Sequence, residues 1–317
     1  MNADRSALEE LTRAIDAELA LPLPEAITAM AEWLAKQGHG SVVAVLFYGS
    51  NLRSGTLDGV LDFYILVDSL RGWYQRLLPA AANRLLPPNI LYFEREHEGQ
   101  TLRAKVALLR IDQFHDAMRA GCLDTTMWAR YSQPSALAWV RDADARTSAG
   151  VAVAQAVVSA AHWAARLGPA TGVAEDYWEG LFRRTYGAEL RVEKASRAQA
   201  ITSWAEARYA AMLPLAWRAS GIDFESDNDR MLRPAITSRQ RQRAEAGWKF
   251  RHVLGKPLNF IRLMKSAYTF EGGVDYLIWK IERHSGVKVE LTPWQRRHPI
   301  LASPRVLWDL RKRGAIR

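Results

Sequence analysis

Apolar residues along the chain follow two periods. Residues 41–47, SVVAVLF, are apolar at almost every position and close on Tyr48-Gly49-Ser50, which predicts a buried strand ending in a tight turn. Residues 61–67, LDFYILV, predict a second strand with an acid near its start. Residues 89–96 and 101–111 predict a strand pair turning at His97-Glu98-Gly99-Gln100. Helical patterns surround these strands. Residues 5–37 predict one or two helices broken near Leu21-Pro22-Leu23-Pro24, because proline removes donors and restricts the residue before it. Residues 72–86 predict a helix stopped by Pro87-Pro88, and residues 113–217 predict helices with loops near 132–134 and 168–172. The polar stretch 218–247 predicts a mobile connection, after which residues 250–281 interleave cations with large apolar residues.

This order predicts an α/β head, a mixed sheet with flanking helices, over residues 1–112. A helical domain follows over 113–217, then a basic amphipathic C-terminal region over 218–317. Composition agrees: 49% hydrophobic and 24% charged residues in 317 are ordinary for a globular chain with a full core. The single cysteine, Cys122, excludes an internal disulfide and a cysteine-rich metal site, and suits a reducing cytoplasm. In its helical setting it reads as a small apolar residue. The acidic N-terminal helix lacks the basic start and apolar core of an export signal. Residues 151–165, interrupted by Gln155, Ser159 and His162, are too short to span a bilayer, so no transmembrane helix is expected. Charge is unevenly placed: residues 239–317 hold 18 Lys or Arg against six Asp or Glu, more than the whole chain's net +9.

A strand, Gly-Ser, then a strand bearing a carboxylate predicts the working end of a nucleotidyltransferase head. Gly49 lets the backbone approach a triphosphate, and Ser50 supplies a hydroxyl and an N–H for phosphate oxygens. Asp62 is the expected ligand for Mg²⁺, which nucleotidyl transfer needs because charge develops on both the attacking and the leaving oxygen. In the commonest pattern a second carboxylate stands two residues on, facing the same way; here that position is Tyr64. Asp68 lies about 20 Å farther along the strand. Asp58 in the preceding loop, and Glu94 or Glu96 on a neighbouring strand, are the candidates for the missing ligand. Edge-strand solubility explains the two glutamates equally well. Lys105 reads either as a neutraliser of triphosphate charge or as a solvent-facing strand lysine.

Tyr48-Gly49-Ser50, a loop, Leu61-Asp62-Phe63, apolar residues and Val67-Asp68 resemble the mitochondrial translocator-maintenance family of phosphatidate cytidylyltransferases, which also lacks the acid two residues on. Residues 127–134, MWARYSQP, are similar to that family's Ala-Gly-Arg-Leu-x-Lys-Pro, with Gln133 at its lysine. Residues 185–191, TYGAELR, are similar to its Ser-Tyr-x-Gly-Asp-x-Arg, with Ala188 at its glycine. The likeness covers residues 40–210. It implies a CTP:phosphatidate cytidylyltransferase making CDP-diacylglycerol, with Asp62 and Lys105 catalytic, Tyr48, Gly49, Ser50, Arg130 and Arg191 on the nucleotide, and Mg²⁺ on Asp62 with Asp58 or Glu94. Without the likeness, Arg191 reads as part of a solvated helix face.

For residues 250–281 three readings stand: cations and aromatics on an anionic membrane, apolar residues packed on the helical domain with the bases in water, or a nucleic-acid surface. No nucleic-acid module is recognised, which makes nucleic acid an unfavoured partner. His284, with no carboxylate at suitable spacing, reads as an ordinary histidine. The expected location is cytoplasmic, peripheral on the inner face of the cell membrane. A transferase for a soluble or RNA acceptor, and a non-catalytic lipid or nucleotide binder, are the alternatives; Tyr64 favours the second.

Overall fold

The structure, a computed structural model, describes residues 4–188, 196–227, 230–269, 272–285, 287–297 and 308. Helix α1 (Arg5–Leu19) starts where the Asp4 carboxylate accepts from the Ser6 and Ala7 N–H groups, and it buries Leu11, Ile15 and Leu19 at helical spacing. After the proline break comes α2 (Glu25–Lys36). Strand β1 (Val42–Tyr48) leads through Gly49 into α3 (Ser50–Ser54) and then β2 (Leu61–Val67). Helices α4 (Leu70–Tyr74) and α5 (Leu77–Leu85) precede the hairpin of β3 (Asn89–His97) and β4 (Gln100–Arg110). Next are α6 (Ile111–Ala117), α7 (Thr126–Tyr131), β5 (Ser135–Val140), α8 (Ala143–Leu167), α9 (Ala174–Ala188), α10 (Ser196–Trp204) and α11 (Glu206–Ala219). The hairpin of β6 (Phe224–Ser226) and β7 (Leu232–Pro234) leads to α12 (Ser238–Thr269), α13 (Gly273–Ser285) and α14 (Pro293–Arg297).

The head is a mixed α/β unit. Its five-stranded sheet has the order β3-β4-β2-β1-β5; β2 and β4 run parallel and the other neighbours antiparallel. One face, through Val45, Phe47, Phe63, Ile65 and Val106, packs on α2, α4 and α5. The other, through Leu46, Tyr64, Leu66 and Ala107, joins α1, α7, α8, α9 and α11 in one continuous core.

Three sequence expectations change. Residues 135–140 are not part of a helical stretch: β5 pairs antiparallel with β1, and Ala-rich helix propensity yields to the hydrogen bonds of that exposed edge. Helix α1 shares its core with α8 and α11, and Arg208 of α11 pairs with Glu18 and donates to Ser132 O at 2.8 Å, so the first helix is fastened to the helical part. The described residues of 218–247 are not a loose connection. They form the β6–β7 hairpin and the start of α12, where Arg184 pairs with Glu245 at 2.8 Å and Arg241 donates to Gly168 O at 2.7 Å. Arg241 and Glu245 are spent on internal partners, while Asp223, Glu225, Arg239 and Arg243 stay exposed.

Helix α8 is long and apolar enough to cross a membrane, unlike the shorter segment expected from sequence, but most of it is buried within the protein. The bases of α12 are also partly internal: Arg251 donates to Ala120 O, Gly121 O and Cys122 O, and Arg262 pairs with Asp124 at 2.6 Å. The closing Arg311-Lys312-Arg313 and the side chain of His284 lie outside the described residues.

Candidate active site at the end of the sheet

Strand register builds the site. Tyr48 of β1 lies opposite Asp62 of β2, Asp62 opposite Lys105 of β4, and Lys105 opposite Tyr92 of β3. Side chains alternate along a strand, so these four face the side that bears Tyr64 and Ala107, just beyond the helical cover. Gly49 follows Tyr48 with φ at 97°, a conformation that favours glycine. A Cβ there would stand 3.2 Å from Asp62 Oδ2, so the turn packs directly on the carboxylate. Ser50 opens α3. Asn51 is buried, and its amide donates to Thr56 O at 3.0 Å and Asp58 O at 2.9 Å, which ties the loop before β2 back onto the turn.

Lys105 Nζ lies 2.8 Å from Asp62 Oδ1, yet that buried oxygen accepts no hydrogen bond of good geometry. The contact is one of charge. Arg130 of α7 comes down on the same spot: Nη1 donates to Tyr64 Oη at 2.5 Å, and the guanidinium carbon is 5.1 Å from the Tyr48 ring centroid. Tyr131 beside it is fully buried, and desolvation pushes its phenol well above the ordinary value, with Tyr64, Tyr48 and Asp62 adding to the effect. Where the commonest pattern has a second acid, this sheet has a tyrosine that holds an arginine.

The other candidates disperse. Asp58 is exposed on the loop. Glu94 accepts from Tyr92 Oη at 2.7 Å and from Arg103 Nε at 3.2 Å, and two strand spacings plus two residues along the strand put it about 12 Å from Asp62. It is not brought beside the first carboxylate. Glu96 accepts from Thr101, Asp68 is paired with Arg141 at 2.6 Å, and Arg191 lies outside the described residues. Among the described residues no three His, Cys, Asp or Glu gather as a metal cluster.

Sequence reasoning missed Asn51 and Arg283. Helix α13 crosses the sheet edge, with Tyr276 on Tyr92 at 5.4 Å between ring centroids and Trp279 under both Arg103 and Arg283 at 5.6 and 5.2 Å. Arg283 thereby reaches the loop before β2; a Cβ on Gly59 would meet its Nη1 at 3.0 Å. Gly59 is three residues from Asp62, at most about 10 Å of chain. Nothing in the sequence links the two, whereas a side-chain amide one residue after Gly-Ser was a readable sign for Asn51. Lys105, Arg130, Arg103 and Arg283 thus surround one end of the sheet against Asp62 and Glu94, an arrangement suited to a polyanion. A groove of about 840 Å³ between α9, α11 and the β6–β7 hairpin lies elsewhere, where Glu175, Glu206 and Asp227 outnumber Arg230.

No protein-family model and no curated protein matches the chain, so the family likeness rests on the quoted motifs alone. Among solved structures the chain is similar to a nucleotidyltransferase-like protein from Exiguobacterium sibiricum, at 10% identity over 89% of this chain and 86% of that one. The TM-score is 0.27, too low to carry an argument.

Proposed function

We propose that this chain is a nucleotidyltransferase that moves CMP from CTP to phosphatidic acid, giving CDP-diacylglycerol and pyrophosphate. The observation that carries the transferase reading is the Gly49 turn packed on the Asp62 carboxylate with Lys105 and Arg130 beside it. CTP and the lipid acceptor are supported by the motif resemblance, and peripheral attachment to the inner face of the cell membrane by the basic C-terminal region.

In this reading a phosphatidate oxygen attacks the α-phosphorus of CTP, a new P–O bond forms, and the bond to the β-phosphate oxygen breaks as pyrophosphate leaves. Gly49 and Ser50 hold the departing phosphates through backbone N–H groups and the serine hydroxyl. Lys105 and Arg130 take up negative charge as it builds, and the Tyr64 hydroxyl keeps Arg130 in place. Mg²⁺ fits through Asp62, whose carboxylate abuts the Gly49 turn and whose buried Oδ1, 2.8 Å from Lys105 Nζ, accepts no hydrogen bond of good geometry; one carboxylate plus substrate phosphates and water is an ordinary set for this ion. When bound it would supply charge neutralisation at the triphosphate.

The test is incubation of purified protein with each labelled nucleoside triphosphate, Mg²⁺ and phosphatidate vesicles, following pyrophosphate and lipid-phase label. Label entering lipid from CTP only, and its loss in Asp62→Asn with the melting temperature kept, is the expected result. Pyrophosphate without lipid label moves the acceptor to a soluble molecule or RNA. Silence with all four nucleotides leaves a non-catalytic binder, which Lys105 seated on a lone carboxylate would suit.

A further inference from the structure

Helix α5 buries Ala80 and Asn83, the latter donating to Leu108 O at 2.7 Å. Its outer side leaves Leu77 66%, Leu78 84% and Leu85 85% exposed. Single exposed leucines are ordinary, but three at i, i+1 and i+8 on a nine-residue helix form one apolar face, which marks an interaction site. The flanking chain segment carries charge of one sign. Between Asp68 and Glu94 there is no acid, while Arg71, Arg76 and Arg84 are all exposed. Leucines flanked in their own segment by arginines suit an anionic bilayer, with the apolar side chains at the acyl boundary and the guanidinium groups on lipid phosphates, and the one acid that α6 brings to the end of α5, Asp112, is paired with Arg110 at 2.8 Å. The face continues toward the C-terminal helices, because Lys265 of α12 donates to Leu86 O and, at 2.8 Å, to Pro88 O just past α5. Ile261, one turn earlier on that side of α12, is 55% exposed.

We propose that α5, on the head itself, is a docking face for an anionic membrane. The inference rests on a membrane partner, as in the proposed function, and moves the contact from the C-terminal region to the unit that carries Asp62. It is tested by co-sedimentation of the full chain with phosphatidylcholine vesicles, with and without phosphatidic acid. The wild type is expected to bind the anionic vesicles, and the triple variant Leu77→Ser, Leu78→Ser, Leu85→Ser to lose about tenfold or more in partitioning. Its melting temperature should hold, since the substituted side chains face water. Undiminished binding by the triple variant overturns the α5 face while leaving the membrane partner standing, and no binding by the wild type to either vesicle overturns both. Concentration-dependent self-association that the triple variant abolishes would assign the face to a second copy and overturn the proposal. Pyrophosphate release in the same samples reports on the transferase reading separately.

Discussion

Gly49 carries two constraints at once: a backbone angle of 97° and an atom-width approach to Asp62. Gly55 shares the first, at 69°, with open space where a Cβ would go. Alanine at either position is therefore expected to destabilise by roughly 1–2 kcal/mol through the backbone. Only Gly49→Ala should also push the turn off the carboxylate and lower transfer about 10²-fold, the scale of an ångström's misplacement. Melting temperatures and single-turnover rates of the two variants check this; equal activity in both would mean the close approach is incidental. The pair also marks what a sequence shows at this scale. Gly-Ser before an acid is legible because it is local. The meaning of Tyr64 is not: sequence shows an absent carboxylate, and only the fold shows Arg130 on the hydroxyl.

Helices and strands were legible where hydrophobic period and local breakers agree, as in β1, β2, the β3–β4 hairpin and the α1–α2 break. They were not where a partner decides. The alanines of β5 favour helix until the edge of β1 is there to pair, and the polar residues of 238–248 look unstructured until Gly168 and Arg184 receive them. Helix α13 is the functional case. Its pattern announced an amphipathic helix, but not that Trp279 would be held by Arg103 and that Arg283 would end beside Gly59. If Arg283 serves phosphates leaving the Gly49–Ser50 turn, Arg283→Gln should raise KM for the triphosphate about tenfold, the scale of one charge-assisted hydrogen bond. Arg283→Lys should recover part of it, with kcat less affected than KM. An unchanged KM in Arg283→Gln would make the residue a helix-packing group only.

On the scale of the whole molecule, the C-terminal helices are fastened to the head near the end of α5, and the fastening involves a lysine in an unfavourable state. Burial, with the Arg262 charge adding to it, lowers the Lys265 amine from its ordinary value to about 8. Below that pH the ammonium is charged in folded and unfolded chains alike, and the folded state carries its desolvation. Between about 8 and the unfolded value near 10.5 the unfolded chain binds the extra proton, so stability rises with pH across this window. The neutral amine still donates to Leu86 and Pro88. Because the site is partly solvated, roughly 1–2 kcal/mol is the expected gain. Cys122 works against it, since burial raises its thiol from 9 and withdraws stability at the alkaline end. A comparison with Lys265→Met cancels that contribution. Denaturant melts at pH 7.5 and 9.5 should show the wild type gaining on the methionine variant as pH rises; parallel curves would mean that Lys265 is solvated in the folded chain and that α12 is held by Arg251 and Arg262 instead.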